Sequence, residues 1–322
     1  MKIGWVGFHV EGIPALRGVL EQGYQVEAMV TLKPEQAAKR SGVADYSGLC
    51  REFDVPLIEI KNINDDEAVK ILKDLSLDVC FVIGWSQIVR REALQTARIG
   101  MVGAHASLLP HNRGRAPINW ALIKGFKETG NSLIWLAENV DEGDLIAQTK
   151  FDVTPYDTCA TLYEKVASSN RQMILDVLPK LLAGERPGQT QKHTNEPLLP
   201  GRKPEDGLID WSKSSHEIYD FVRALARPYP GAFSTLDGKR WIVRECALIP
   251  GIRYFDLKKG RVIGAMQSPN EQACGQVVAC GNDQQSLGAV ALLELEDENG
   301  LVLKGQKLSD QRWEGKVWSY EQ

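Results

Sequence analysis

None of the six cysteines (Cys50, Cys80, Cys159, Cys246, Cys274 and Cys280) pairs in CxxC spacing, and no His, Cys and Asp cluster has metal-ligand spacing. Neither a catalytic metal nor a disulfide framework is therefore expected, and the thiols read as reduced and mostly buried. A GxSxG elbow and a Walker loop are also missing, which removes the usual serine-hydrolase and phosphate-loop classes. The opening Gly4-x-x-Gly7 lacks the rest of GxGxxG and a well-placed ribose acid, so a nicotinamide cofactor is not expected. No apolar run approaches membrane-spanning length, and residues 1–7 lack a signal-peptide layout; no membrane partner and a cytoplasmic location are the default expectations. A net charge of only -4 gives no global basic excess to hold a nucleic acid backbone.

What is present is an ordinary globular composition, 43% hydrophobic and 25% charged, in 322 residues, enough for two domains that each bury a core. Residues 3–8 read as a strand. Gly12-Ile13-Pro14 leads into a helical pattern that stops at Gly23, and residues 24–30 read as a second strand, a unit of the parallel-sheet kind. Residues 33–43 are polar and read as a loop, and residues 46–53 as a short helix. Residues 55–60 and 79–83 are strand-like, with an amphipathic helix opened by acids over 65–75 between them. After the stretch described below come a helix over 119–124 with Trp120 and Ile123 toward the sheet, a strand over 131–136, a loop at 139–143 and an edge strand over 145–151. Residues 158–182 form the longest helical pattern, with Pro179 near its end.

Residues 184–202 lose all hydrophobic periodicity and carry Gly184, Pro187, Gly188, Pro197, Pro200 and Gly201. They read as a linker between domains at 1–183 and 203–322. The second domain opens with a capped helix from Ser214 or Ser215 through Ala226, then shows short strands, including 289–295. Its turn signals stand at Asp237-Gly238, Gly281-Asn282-Asp283 and Asn299-Gly300, as in a small β-barrel.

The stretch around which the chain is organised is Gly103-Ala104-His105-Ala106-Ser107-Leu108-Leu109-Pro110-His111-Asn112-Arg113-Gly114-Arg115-Ala116-Pro117. It follows an apolar strand at 99–102 and places a histidine just beyond the strand end, where open α/β sheets bind ligands. Imidazole is the side chain suited to proton transfer near neutral pH. With Thr129-Gly130 and Val140-Asp141-Glu142-Gly143-Asp144, this pattern resembles the folate-dependent formyltransferases. That family includes methionyl-tRNA, glycinamide ribonucleotide and sugar-nucleotide N-formyltransferases. Residues 203–233, with Asp210-Trp211-Ser212 and Arg227-Pro228-Tyr229-Pro230-Gly231, resemble the start of the carboxyl-terminal domain of the tRNA and aminosugar members.

The resemblance implies an α/β fold: a Rossmann-like amino-terminal domain with a parallel-type sheet, and a small carboxyl-terminal barrel similar to an OB-fold. It also implies transfer of a formyl group from N10-formyltetrahydrofolate to a primary amine through a tetrahedral oxyanion. In that scheme His105 contacts the formyl group and moves protons, while Asp141 orients His105. The family pattern is Asn-x-His, and the asparagine position is Gly103 here. Loss of one such oxyanion donor typically costs about 10²–10³ in rate. A backbone N–H at Gly103, a water, or the amide of Asn112, Asn131 or Asn139 are alternative replacements.

By the same resemblance Gly84, Trp85, Ser86, Gln87 and Ile88 wall the folate pterin, with Leu108 and Asp144 also on the cofactor. Read without the family, Gly84 turns the chain and Trp85 plugs the core. Ser107, Arg113, Arg115, Phe8 and His9 are assigned to the substrate. Either arginine can meet a phosphate, a folate glutamate or an acceptor carboxylate, or simply be solvated. The region of the tRNA-reaching basic insertion holds only Lys33, Lys39 and Arg40. A nucleotide-linked aminosugar is thus the expected acceptor, with methionyl-tRNA formylation, or folate or nucleotide binding without catalysis, as alternatives. No oligomeric state follows, a homodimer being one option.

Overall fold

The computed structural model describes residues 1–249, 257–268, 273–282 and 287–319. In chain order the first elements are β1 (Ile3–Val6), α1 (Ile13–Glu21), β2 (Val26–Leu32), α2 (Pro34–Ala37), α3 (Ser47–Glu52), β3 (Leu57–Ile60) and α4 (Asp66–Asp74). Then come β4 (Val79–Val82), α5 (Arg91–Leu94), β5 (Gly100–His105), α6 (Pro117–Ile123), β6 (Glu128–Trp135), β7 (Leu145–Asp152) and α7 (Cys159–Leu182). Two compact units form. One holds Met1–Pro117, Lys127–Val153 and Thr161–Gly201; the other holds Ile118–Phe126, Thr154–Ala160 and the chain from Arg202 onward.

The first unit is built on a seven-stranded sheet in the order β3-β2-β1-β4-β5-β6-β7. Neighbours from β3 through β5 pair in parallel, and β6 and β7 are antiparallel additions at one edge. The loop at 136–144 is too short for a crossover helix, so β7 can only return alongside β6. β1 and β4, at the centre of the sheet, are apolar at every position because both faces are covered. Ile3, Trp5, Val79, Phe81 and Val102 pack on one face with Leu16 and Val19 of α1 and Ile174, Val177 and Leu178 of α7. Val6, Cys80, Val82 and Met101 pack on the other with Ala68, Val69 and Leu72 of α4 and Ala93 of α5. Helix α1 carries proline in its first turn and is followed by Gly23 at φ 82°, which lets the chain leave the helix.

Three features differ from the sequence-based expectation. His105 is the last residue of β5 rather than the residue beyond it, because β6 extends the pairing as far as His105↔Ser132. Residues 33–43, expected as loop, include α2. Helix α6 buries Ile118, Asn119, Ala121 and Leu122 in place of Trp120 and Ile123. Asn119 donates to the Ala224 carbonyl at 2.7 Å, and the Arg202 guanidinium stacks on Trp120 at 5.2 Å.

The second unit adds α8 (Ser215–Ala224), β8 (Ala232–Leu236), β9 (Lys239–Leu248), β10 (Val262–Met266), β11 (Gly275–Asn282), β12 (Leu287–Asp297), β13 (Val302–Lys304) and α9 (Gln306–Ser309). Its sheet is antiparallel, in the order β10-β11-β12-β9-β8 with β13 on β12. Ser214 caps α8 in a reciprocal box with Glu217. At the β8–β9 turn both Asp237 and Gly238 have positive φ, 52° and 75°, the backbone a two-residue hairpin requires. Gly300 turns the chain between β12 and β13 at φ 81°. Asp283 of the third expected turn lies outside the described residues. Trp211, Trp241, Trp313 and Trp318 form the aromatic centre of the core, and Trp211 donates to Ser234 at 2.9 Å. Among the described residues no helix is long and apolar enough to cross a membrane.

Phe81 is fully buried at the middle of the first sheet. Its truncation to alanine is expected to cost about 3–5 kcal/mol. The check is urea unfolding, read as a lower midpoint at unchanged slope.

Candidate active site

Strand order reverses between β1 and β4, so the loops leaving their carboxyl ends diverge and open a crevice. The two loops touch at its floor, where Phe8 N–H donates to the Gly84 carbonyl at 3.2 Å. Gly84 sits at φ 67°, and a Cβ there would stand 2.7 Å from the His9 Cβ, so only glycine fits. Trp85 is half-buried and stacks edge-on against Phe8 at 5.8 Å. Its indole Nε1 is buried with no hydrogen-bond partner among the described residues. Ser86 and Ile88 are exposed, whereas Gln87 is committed to the Ile63 amide and the Lys61 carbonyl.

Phe8 is buried in a small cluster with Leu32 and Ala37. His9 is also buried. Its ring lies 4.8 Å from Tyr163 and under Gly42, where a Cβ would reach within 1.9 Å of Nε2, and its carbonyl accepts from the Tyr46 hydroxyl at 2.7 Å. Glu11, which no motif singles out, brings its carboxylate 3.6 Å from His9 Nδ1 and against the Gly84 turn. Burial raises its pKa from the ordinary value, opposed in part by His9 and His105. The only signal of it in the sequence is a lone carboxylate in an apolar loop directly after the first strand.

His105, at the end of β5, shares its strand face with Met101 and Gly103 by alternation. Its Nδ1 stands 3.4 Å from Asp141 Oδ2, and its Nε2 lies 2.9 Å from the Asn112 carbonyl. Both ring nitrogens therefore face oxygens, and whichever carries the proton has an acceptor. Asp141, on the β6–β7 loop, accepts from the Gly114 amide at 2.9 Å through the oxygen that faces the ring. The loop turns against Trp135 through Gly143, where a Cβ would sit 1.6 Å from the Trp135 carbonyl oxygen.

The turn after His105 is braced from β6 and β7. Ser132 donates to the Ser107 carbonyl at 2.7 Å and accepts from the Leu109 amide at 3.1 Å, while Gln148 donates to the Leu109 carbonyl at 3.0 Å. Ser107 is buried and donates to the His111 carbonyl, and Leu108 packs over Gly130. Arg113 is drawn inward to Glu142 and the Thr194 carbonyl; Arg113 and Asn139 together hold the Glu142 carboxyl below its usual range. Arg115 is exposed, with no ion-pair partner for its guanidinium among the described residues. Asp144 accepts from Thr190 at 3.1 Å and lies 3.8 Å from Arg186.

Gly103 lies inside β5, paired with Val82 on one side and Ile134 on the other. A Cβ there would meet Leu136 Cδ2 at 2.5 Å, so Leu136 fills the space into which a longer side chain would project. Asn131 is turned away to Ser169 and Asn170, and Asn139 to Glu142, leaving Asn112 as the one of the three amide residues that touches His105, through its backbone. Among the described residues no group of His, Cys, Asp and Glu could hold a metal ion.

A family model described as "Formyl transferase" matches residues 16–178, and one described as "Formyl transferase, C-terminal domain" matches residues 202–311. Similar solved structures include HypX from Aquifex aeolicus in complex with tetrahydrofolic acid. It has a TM-score of 0.62 at 17% identity over 94% of this chain and 46% of that one. WlaRD, a sugar 3N-formyl transferase in the presence of dTDP and 5-N-formyl-THF, has a TM-score of 0.65 at 15% identity over 94% and 99% of the two chains. A sugar N-formyltransferase from a Shewanella species has 0.59 at 18% over 76% and 97%. The chain spans about half the length of the HypX structures it matches. At these identities the likeness is one of fold.

Because the Glu11 pKa is raised in the folded protein, its linkage to stability has a defined sign. The favourable state, a neutral carboxyl, is fully present below 4.5 and is lost as pH rises through the raised folded value. Glu11→Gln, which keeps the shape and removes the charge, is therefore expected to raise the urea midpoint at neutral pH. That gain should vanish in unfolding curves recorded below pH 4.5.

Proposed function

The chain belongs to the formyl transferase family, and on that premise we propose that it moves a formyl group from N10-formyltetrahydrofolate to the primary amine of a nucleotide-linked aminosugar. The observation that carries this reading is the His105–Asp141 pair at the carboxyl end of β5, 3.4 Å apart, with Asp141 tied down by the Gly114 amide. In overall balance the amine nitrogen gains the formyl carbon, the bond from that carbon to the donor nitrogen breaks, and one proton passes from amine to donor. The folate donor supplies the one-carbon unit already at the formyl level.

The chain's residues do the rest. The Nε2 edge of His105, once released from the Asn112 carbonyl, accepts the proton of the attacking amine and passes it to the donor nitrogen. Asp141 keeps the ring in the tautomer with the proton on Nδ1. The donor fits the Gly84–Ile88 wall: the tight Gly84 turn packs on His9 and Glu11 and sets the course of the wall, the buried Trp85 N–H has no partner among the described residues, and Ser86 and Ile88 are open. Gln87 is better read as bracing that wall, since both ends of its amide are used.

Two facts support a nucleotide sugar: the absence of a basic run over 33–43 and the overall charge of -4, which suits a small acceptor better than tRNA. WlaRD, similar over 94% of this chain, is described as a sugar 3N-formyl transferase. Arg115, exposed and without an ion pair among the described residues, is a cation available to a diphosphate, whereas Arg113 is engaged with Glu142. A second reading, folate binding with little turnover, is favoured by Gly103 and by the Leu136 side chain beside it.

The test is calorimetric binding of tetrahydrofolate, of UDP, dTDP, GDP and CMP, and of tRNA, followed by a transfer assay with aminosugar nucleotides. Turnover is expected, with Asp141→Asn lowering kcat about 10²-fold or more. Arg115→Ala is expected to weaken nucleotide binding about tenfold. Preferential tRNA binding would reverse the acceptor assignment, and binding without turnover would leave the second reading standing. Gly103→Asn, combined with Leu136→Ala to clear its path, should raise kcat about tenfold or more if the missing amide limits the rate.

A further inference from the structure

Residues 186–199 run against both loops that flank His105 and bond to the backbone of each. Gln189 and Leu145 exchange backbone hydrogen bonds of 2.8 and 2.9 Å at one end, and Leu199 bonds to Arg113 and Arg115 at 2.7 and 2.9 Å at the other. Between these anchors, Gln191 Nε2 donates to the carbonyls of Asp141 at 2.9 Å and Gly143 at 2.7 Å. Glu196 accepts from the Asn112 amide at 3.3 Å and pairs with His111 Nδ1 at 2.5 Å. The strap thus reaches the two residues whose oxygens face the His105 ring.

Those two residues share a second property. Asn112 has φ 58° and Asp141 φ 55°, both in the left-handed region. A non-glycine residue there is strained, Asn and Asp less than others, and is kept there by its surroundings. At Asp141 and Gly143 the surroundings include Gln191, whose amide is used as a donor. The reverse orientation would aim its oxygen at two carbonyls, and that oxygen is buried without a partner among the described residues. At Asn112 they include the Glu196 carboxylate.

The geometry points to Gln191 and Glu196 as positioning residues. They hold Asp141 and Asn112 in place, and through those two oxygens they set the orientation of the His105 ring. The Nδ1–Oδ2 separation of 3.4 Å leaves little slack before the pair is broken. A displacement of about 1 Å at such a group can cost about 10²-fold in rate. The kinetic consequence rests on the formyl-transfer reading; the effect on the ring itself does not.

The experiment uses Gln191→Glu, which keeps the shape but sets an acceptor against two carbonyls, Gln191→Leu, which removes the donor, and the pair Glu196→Ala and Glu196→Gln. In the full chain, both Gln191 variants and Glu196→Ala are expected to lower kcat about 10- to 100-fold, with KM for donor and acceptor changed less than about twofold. Glu196→Gln, which still offers an acceptor to Asn112, should recover most of what Glu196→Ala loses. In parallel, the ¹⁵N shifts of the His105 ring nitrogens should move in these variants relative to the parent.

Unchanged kcat together with unchanged ring shifts in folded variants would overturn the assignment, as would a rise in KM at constant kcat. Should the parent itself transfer no formyl group, the ring shifts alone decide, so failure of the activity reading is not mistaken for failure of the strap. Should Gln191→Glu not fold, Glu196→Ala decides, because the Glu196 side chain is 46% exposed and its loss leaves no cavity in the core.

Discussion

The parallel pairing of β1 with β4 is the constraint on which the first unit depends. It joins the two halves of the sheet at the point where strand order reverses, and it is sealed by apolar residues on both faces. Because the connections on either side depart in opposite directions, their loops part company at the carboxyl ends and leave a crevice. Phe8, His9 and Glu11 from one loop and Gly84 and Trp85 from the other are brought there by this single topological fact. Burial supplies the energy, and the site is a by-product of how parallel strands must be connected.

The second half of the site comes from a change of strand direction. β6 returns antiparallel to β5 and is followed by a tight loop, so Asp141 falls back onto the end of the strand that carries His105. Glycine decides whether this loop can close: Gly143 lies where any side chain would collide with the Trp135 carbonyl. The loop then stores strain in Asp141, as the facing loop does in Asn112, and both strained residues present an oxygen to the same imidazole. Hydrogen bonds from a third segment to the groups that face the His105 ring keep those groups from relaxing into more comfortable backbone conformations.

Charge is distributed with the same economy of position. Arg113 and Glu142 neutralise one another beside the Asp141 loop, and Asp144 is engaged by Thr190 and Arg186. Glu11 is the carboxyl with a raised pKa in the crevice, beside a histidine and under the Gly84 turn. The site therefore holds carboxyls in unlike environments, one tied to a backbone amide and one desolvated, which is how proteins separate the tasks of chemically identical groups.

Local physics was legible in the residues themselves. Unbroken apolar runs marked the buried strands, proline and glycine marked the ends of α1, and the Ser214–Glu217 spacing marked the cap of α8, because these depend on neighbours a few positions away. The order His105, Arg113-Gly114, Asp141, Gly143 pointed to a family because it resembles the pattern of its members, and the family models match residues 16–178 and 202–311. Tertiary structure alone decided which way β6 runs, that Leu136 occupies the space beside Gly103, that Arg113 turns inward, and that the aperiodic segment from Arg186 to Leu199 lies along the His105 and Asp141 loops. Such a segment carries no periodicity because it buries no continuous face. Its role resides in a few hydrogen bonds to backbone atoms distant in sequence, and those leave no pattern in the order of the residues.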